Sequence, residues 1–314
     1  MDKFNPVDMS VWQGRQDPED GVLALRWHDK VQPWLQAGHA APGVALVGFA
    51  CDEGVRRNKG REGAAGAPLA VRKLLANSAW HLGRPVYDSG DVNCEDGDLD
   101  AAHGRLAERV ARLLGEGHFP LVLGGGHEVA FGSWSGLNLH LAGRGRVGII
   151  NFDAHFDLRM KLEQASSGTP FFQIAEQCAI QGTPFTYACL GVAETANTRA
   201  LFARAEALGV WHVLDEAMTP AELPALLSGL DAFIARCDHL YLTIDLDVLP
   251  AAVMPGVSAP AARGVELAVI EPLIAHIRAS GKLRLADLAE YNPSLDQDNR
   301  SARVAARLVH QLTK

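Results

Sequence analysis

Basic charge is in short supply in this chain. Over 314 residues there are 29 Lys+Arg against 37 Asp+Glu, a formal net charge of −8 with histidines neutral. A protein that lives by neutralising nucleic-acid phosphates needs the opposite balance, so that class is excluded. No apolar run is long enough to span a bilayer, and the start MDKFNPVDMS has no basic segment leading into an apolar one, so neither a membrane nor a secretory signal is expected. Cysteine is scarce. The five present, Cys51, Cys94, Cys178, Cys189 and Cys237, form no CxxC pair and leave an odd number, which argues against a disulfide framework and for a reducing cytoplasm. Ser-, Gly- or Pro-rich linkers and internal repeats are also missing. A single domain over 1–314 is expected, with an irregular amino-terminal segment at about 1–40.

What is present is an ordinary globular balance, 48% hydrophobic and 21% charged, sufficient to bury a large core. Short runs of Val, Ile and Leu read as strands buried on both faces: Val44 to Phe49, Pro120 to Leu123, Val147 to Phe152, Tyr187 to Val192 and Leu240 to Ile244. Helical patterns lie between and after them, among them Leu99 to Leu114, Thr198 to Leu208, Pro220 to Cys237, Glu266 to Ser280 and Asn299 to Leu312. This alternation predicts an α/β fold, a single three-layer αβα sandwich on a mainly parallel sheet, with ligands beyond the carboxyl ends of the strands. The stretch Gly54 to Pro68 reads as an irregular basic loop holding Arg56, Arg57, Lys59 and Arg61.

Three strand ends carry metal-ligand residue types. LVLGGGHE runs a strand through three glycines to His127; IINFDAHFD gives Asp153, His155 and Asp157; YLTIDLDVLP gives Asp245 and Asp247. In an extended chain alternate side chains share a face at ~6.6 Å spacing, so each set can converge while the intervening apolar residues turn inward. A lone His after glycines is ordinarily a turn or core residue. Several ionisable groups beside buried strands are harder to account for that way, because they repel and desolvate one another unless a cation compensates. Carboxylates and imidazoles without thiolates suit hard to borderline divalent ions, Mn²⁺ first, then Zn²⁺, Fe²⁺ or Co²⁺. Other catalytic signatures are missing: no HExxH, no serine elbow, no Walker loop and no GxGxxG after a strand. His28, His81, His103 and His310 have no ligand-like spacing.

GGGH, DAHFD and TIDLDVLP followed by PGVSAP resemble the ureohydrolase family of arginases, agmatinases and formimidoylglutamases, over about Val44 to Pro293. The resemblance implies one αβα domain holding two Mn²⁺ and a bridging hydroxide. Asp153 and Asp245 would bridge the ions, His127 and Asp157 would complete one, and His155 and Asp247 the other. Asp157 would also shuttle a proton, and Glu290 in AEYNP would grip an amidine or guanidine group. A homo-oligomer is implied as well.

The sequence departs from arginases at Arg159, where they carry asparagine, and after Ser167-Gly168, where Thr169-Pro170-Phe171-Phe172 replaces a catalytic histidine. DAHFDLR with SSGTPFFQI is instead similar to the formimidoylglutamase branch, as are Trp12 to Asp17, Asn197 and Thr198. That branch implies hydrolysis of a small dicarboxylate amidine to glutamate and formamide, in histidine breakdown. Two substrate carboxylates entering an acidic protein need local cations, and Arg159, Arg57 and Arg61 are the candidates, with Asn197 beside them. The alternatives are a guanidino-acid hydrolase releasing urea, a single-metal deacetylase on a related fold, and a non-catalytic binding protein.

Overall fold

The computed structural model describes residues 7–35 and 41–314. Among them nine strands form one sheet, β1 (Gln32–Pro33), β2 (Val44–Ala50), β3 (Val86–Asn93), β4 (Phe119–Leu123), β5 (Val147–Phe152), β6 (Tyr187–Val192), β7 (Trp211–Leu214), β8 (His239–Asp245) and β9 (Leu283–Ala289), in the order β1-β3-β2-β4-β9-β8-β5-β6-β7. Every pairing is parallel. Parallel neighbours need crossovers, and helices supply them on both faces. Val44 and Leu46 point to one face, where α2 (Ala67–Ala76), α7 (Leu223–Ala235), α8 (Leu267–Ala279) and α9 (Arg300–Thr313) pack. Ala45, Val47 and Phe49 point to the other, against α3 (Leu99–Gly115), α4 (Val129–Leu141), α5 (Pro170–Gln181) and α6 (Arg199–Ala207). Strands buried on both sides are therefore predominantly apolar, which is how β2, β5 and β8 betray themselves in sequence, while the polar Asn151 and Thr243 stand near the site.

Register matters more than layer count for the site. Phe152 of β5 pairs with Ile244 of β8, so Asp153 and Asp245 leave the sheet side by side. Asp245 pairs with Ala289 of β9, which delivers Glu290 one residue later. Leu123 of β4 pairs with Leu288, and the Gly124 amide donates to the Leu288 carbonyl at 2.8 Å, so the glycine run lies against the same edge. Four adjacent strands converge there.

Several expectations need correction. Glu53–Arg57 is a short helix, α1, followed by a 3-10 turn at Ala64–Gly66, so the basic segment is largely ordered rather than an irregular loop. Pro220–Glu222 is a 3-10 turn, and the α-helix starts only at Leu223. The amino-terminal segment holds 3-10 turns at Met9–Val11, Pro18–Ala24 and Trp27–Asp29 and an edge strand; its residues 1–6 and 36–40 lie outside the described ones. Strand β6 runs as expected over Tyr187–Val192, with Gly191 at φ 108° where its register against β7 shifts. All five cysteines are free. No helix among the described residues is long and apolar enough to cross a membrane.

Candidate metal centre

The glycine run positions His127. A Cβ on Gly125 would collide with the Cys51 carbonyl oxygen, and one on Gly124 with that of Leu288, so only glycine lets this turn nest against β2 and β9. The Gly126 amide donates to the Cys51 carbonyl at 3.0 Å and the His127 amide to Glu290 Oε1 at 2.8 Å. The imidazole is fully buried, with Nε2 3.0 Å from Thr243 Oγ1. Its Nδ1 lies 3.1 Å from Asp153, 2.9 Å from Asp157 and 3.1 Å from Asp245, yet makes no well-directed hydrogen bond to any of them. A nitrogen aimed at the centre of three carboxylates is the geometry of a shared cation.

The aspartates reach the centre by bends rather than by the strict alternation of an extended strand. β5 ends at Phe152 and β8 at Asp245, whose Oδ1 accepts the Asp247 amide at 2.9 Å and turns the chain into the 3-10 turn Leu246–Val248. Asp153 caps its own bend likewise, accepting the His155 amide at 2.6 Å. Asp157 has φ +47° and Glu290 φ +67°, left-handed positions that cost a non-glycine residue on the order of 1 kcal/mol each. His155 Nδ1 stands 3.0 Å from Asp247 and 3.6 Å from Asp153.

Two ligand groups result. His127, Asp153, Asp157 and Asp245 form one; Asp153, His155 and Asp247 form the other; within each, the donor atoms lie within 4.8 Å of one another. They share Asp153. Electrostatics points the same way: burial, then the neighbouring aspartates, push Asp245 well above the carboxylate range, and burial with Asp153 raises Asp157. Burial opposes charge on His127 and His155, but the carboxylates override it and raise both. Carboxylates and imidazoles crowded together under cover call for compensating positive charge, and the all-O/N donor set fits divalent ions.

The cleft above has a volume of 380 Å³ and is lined by His155, Asp157, Asp245, Asp247 and Glu290 on its floor and by Lys59, Arg61, Arg159 and Asn197 higher up. Arg159 is exposed, and its guanidinium has no hydrogen-bond or ion-pair partner among the described residues. Arg61 is partly committed, donating through Nε and one terminal nitrogen to the carbonyls of Ser258 and Val257 at 2.9 and 2.7 Å. Arg57 is turned away: Glu53 and the carbonyls of Gly97 and Ala165 take its guanidinium, and it does not line the cleft. Asn197 has its amide donors committed within the chain. Its Oδ1 accepts the Phe156 amide at 3.0 Å and its Nδ2 donates to Ala154 and Ala193, so it braces the DAHFD bend. Trp12 likewise serves structure, its Nε1 donating to Asp88 at 2.8 Å.

Three supporting residues escaped the sequence reading. Asn151 donates to Asp153 at 2.9 Å, Thr243 meets His127, and Glu128 accepts the Gly54 amide at 2.9 Å beneath the glycine run. Asn151 and Thr243 each stand two residues before a ligand, so continuing the alternation one step upstream exposes both. Glu128 carries no such signal. Burial, then Glu128, push Glu290 up to about 8, and burial pushes Glu128 to about 7.

Fold and site together define an αβα protein with a carboxylate–imidazole cluster, a candidate site for divalent cations, at the carboxyl edge of a parallel sheet. The arginase family pattern matches residues 42–314. The chain is 97% identical to the formimidoylglutamase of Aeromonas hydrophila across the whole of both chains, and 56% identical to that of Chromobacterium violaceum over 98% of each. Among solved structures, the formimidoylglutamase of Bacillus subtilis superposes with TM-score 0.83 at 22% identity, covering 96% of this chain and 93% of that one. A variant of the Trypanosoma cruzi formiminoglutamase with Mn²⁺ superposes with TM-score 0.78 at 26% identity, covering 88% and 94%. The chain belongs to the arginase family.

Proposed function

We propose that this chain is a formimidoylglutamase, hydrolysing N-formimidoyl-L-glutamate with water to L-glutamate and formamide. The observation that carries the reading is one cleft uniting the Asp/His cluster, the Glu290 carboxylate and the unpartnered Arg159 guanidinium. Full-length identity to proteins of that name supports it. The donor set and the Mn²⁺ of the Trypanosoma cruzi variant support two Mn²⁺ per chain.

The amidine carbon is a poor electrophile. Two divalent ions, when bound, would supply a water ionised near neutral pH and fixed in place. His127, Asp153, Asp157 and Asp245 would hold one ion, and Asp153, His155 and Asp247 the other. Asp157, at the cleft floor, accepts a proton from the attacking water and returns it to the glutamate nitrogen as the C–N bond breaks. Glu290, held by the His127 amide, orients the cationic amidine with a charge-assisted hydrogen bond. Arg159 takes a substrate carboxylate, and Arg61 contributes its remaining terminal nitrogen to the other. An arginine in this position disfavours agmatine, which offers no carboxylate.

A product assay on Mn²⁺-loaded protein tests the reading, offering formimidoylglutamate, arginine, agmatine and guanidinobutyrate in parallel. Formamide with glutamate, abolished by chelation, is expected. Urea from a guanidino compound would overturn the substrate assignment.

A further inference from the structure

The opposite edge of the sheet carries a second cavity, of about 580 Å³. It opens at the amino ends of three adjacent strands, where Phe119 begins β4, Leu283 begins β9 and His239 begins β8. A strand of seven residues such as β9 spans ~20 Å, so the cavity and the metal centre are distinct places.

Its charged lining is entirely of one sign, Arg84, Arg144 and Arg284, with the imidazoles of His118, His140 and His239 beside them and no carboxylate among the lining residues. None of the three arginines has an acidic partner among the described residues. Arg84 donates through Nε to the Thr313 carbonyl at 3.1 Å, and Arg144 to the Leu141 and His140 carbonyls at 2.9 and 3.0 Å. Arg284 reaches only His239 Nδ1, at 3.5 Å. The nearby acids are occupied elsewhere. Glu116 takes Arg112 at 3.1 Å and Trp34 Nε1 at 2.9 Å, staying 3.9 Å from His118, and Asp238 takes the Arg146 amide at 2.8 Å.

This crowding has a cost that the fold itself does not offset. Burial, then Arg144 and Arg284, hold His140 below its ordinary value; burial, then Arg284, do the same to His239 despite Asp238. Three guanidiniums leaving donors free around one concavity supply the fork geometry that binds oxyanions. Gathering them in a chain of net charge −8 makes the concentration local and specific. We propose that this cavity is a binding site for a small, multiply charged oxyanion, bearing either phosphate or several carboxylates. Leu114 and Leu283 add apolar lining, and the Phe119 ring carries the Arg84 guanidinium, whose carbon lies 5.7 Å from the ring centroid.

The test is calorimetric titration of the metal-loaded full chain at constant ionic strength, with inorganic phosphate in one arm and tricarballylate in the other. Saturable binding at one site per chain is expected in at least one arm. Phosphate alone identifies a phosphate ligand, tricarballylate alone a polycarboxylate, and both a site that reads charge without preference. Arg284→Gln and Arg84→Gln should each weaken binding at least about tenfold, the loss of one charge-assisted hydrogen bond. Arg159→Ala, in the catalytic cleft, should bind as the parent does. No saturation in either arm overturns the proposal, as does unchanged affinity in the first two variants or lost affinity in the third. Should either cavity variant unfold, ring resonances of His118, His140 and His239 in the parent must move on saturation, and their constancy overturns the proposal equally.

Discussion

Thr243 Oγ1 stands 3.0 Å from His127 Nε2, and this contact decides which imidazole nitrogen faces the carboxylates. With Nε2 donating to the hydroxyl, Nδ1 is left as a lone-pair donor for a cation. Thr243→Val keeps the shape and removes the acceptor. Metal affinity should fall about 10–100-fold, measured by competition with a chelator, while folding is retained.

The sharing of Asp153 between the two ligand groups makes their losses unequal. Asp247→Ala should leave about one tightly held ion per chain, because His127, Asp157 and Asp245 still serve the other position with Asp153. Asp153→Ala should weaken both. Elemental analysis after desalting distinguishes these, and equal stoichiometry in the two variants would contradict the shared ligand.

Arg159→Ala removes an unpartnered guanidinium at the cleft wall without breaking a side-chain hydrogen bond or ion pair among the described residues. KM for formimidoylglutamate should rise about 10–100-fold, the value of a hydrogen bond to a charged group, with kcat much less changed. An unchanged KM in steady-state assays would remove Arg159 from the substrate's carboxylate.

Away from the centre, His103 is sandwiched between Phe49 and Phe131, with ring centroids 6.0 and 5.3 Å away. Burial lowers it from 6.5 to about 4. A histidine depressed in the folded state is neutral there, while the unfolded chain binds the proton from about pH 6.5 downward. Its contribution is therefore fully present above 6.5 and is lost as pH falls toward 4, about 3 kcal/mol across that window. His103→Phe should flatten this part of the acid limb in urea unfolding midpoints.

Legibility in the sequence followed burial chemistry. Apolar runs such as Val147 to Phe152 read directly as strands because both faces are covered, and the metal-site residues stand where those runs stop. The strand β3 stayed hidden because VYDSGDVN is polar: Asp88 lies inside, satisfied by Arg72 at 2.8 and 2.9 Å and by Trp12. In β9, Asp287 interrupts the run and is met by the Tyr241 hydroxyl at 2.6 Å. Such partners are distant in sequence, so no local pattern announces them. The same limit governs Arg57 and Asn197, whose residue types suit a ligand but whose donors are spent on the Glu53 carboxylate and on backbone carbonyls brought in by the fold. Arg61 also gives two of its nitrogens to backbone carbonyls but still lines the cleft, and Arg159 alone of the three arginines keeps its guanidinium without a partner among the described residues.

Asp157 and Glu290 occupy backbone positions that glycine would take with less strain. Selection for heat resistance alone would favour replacing the very side chains the chemistry requires. A screen scoring stability without turnover should therefore return variants at positions 157 and 290 among its gains, and a screen scoring turnover should never return them. Where the two screens disagree most sharply along the chain, the working residues of such an enzyme can be located without knowing its substrate.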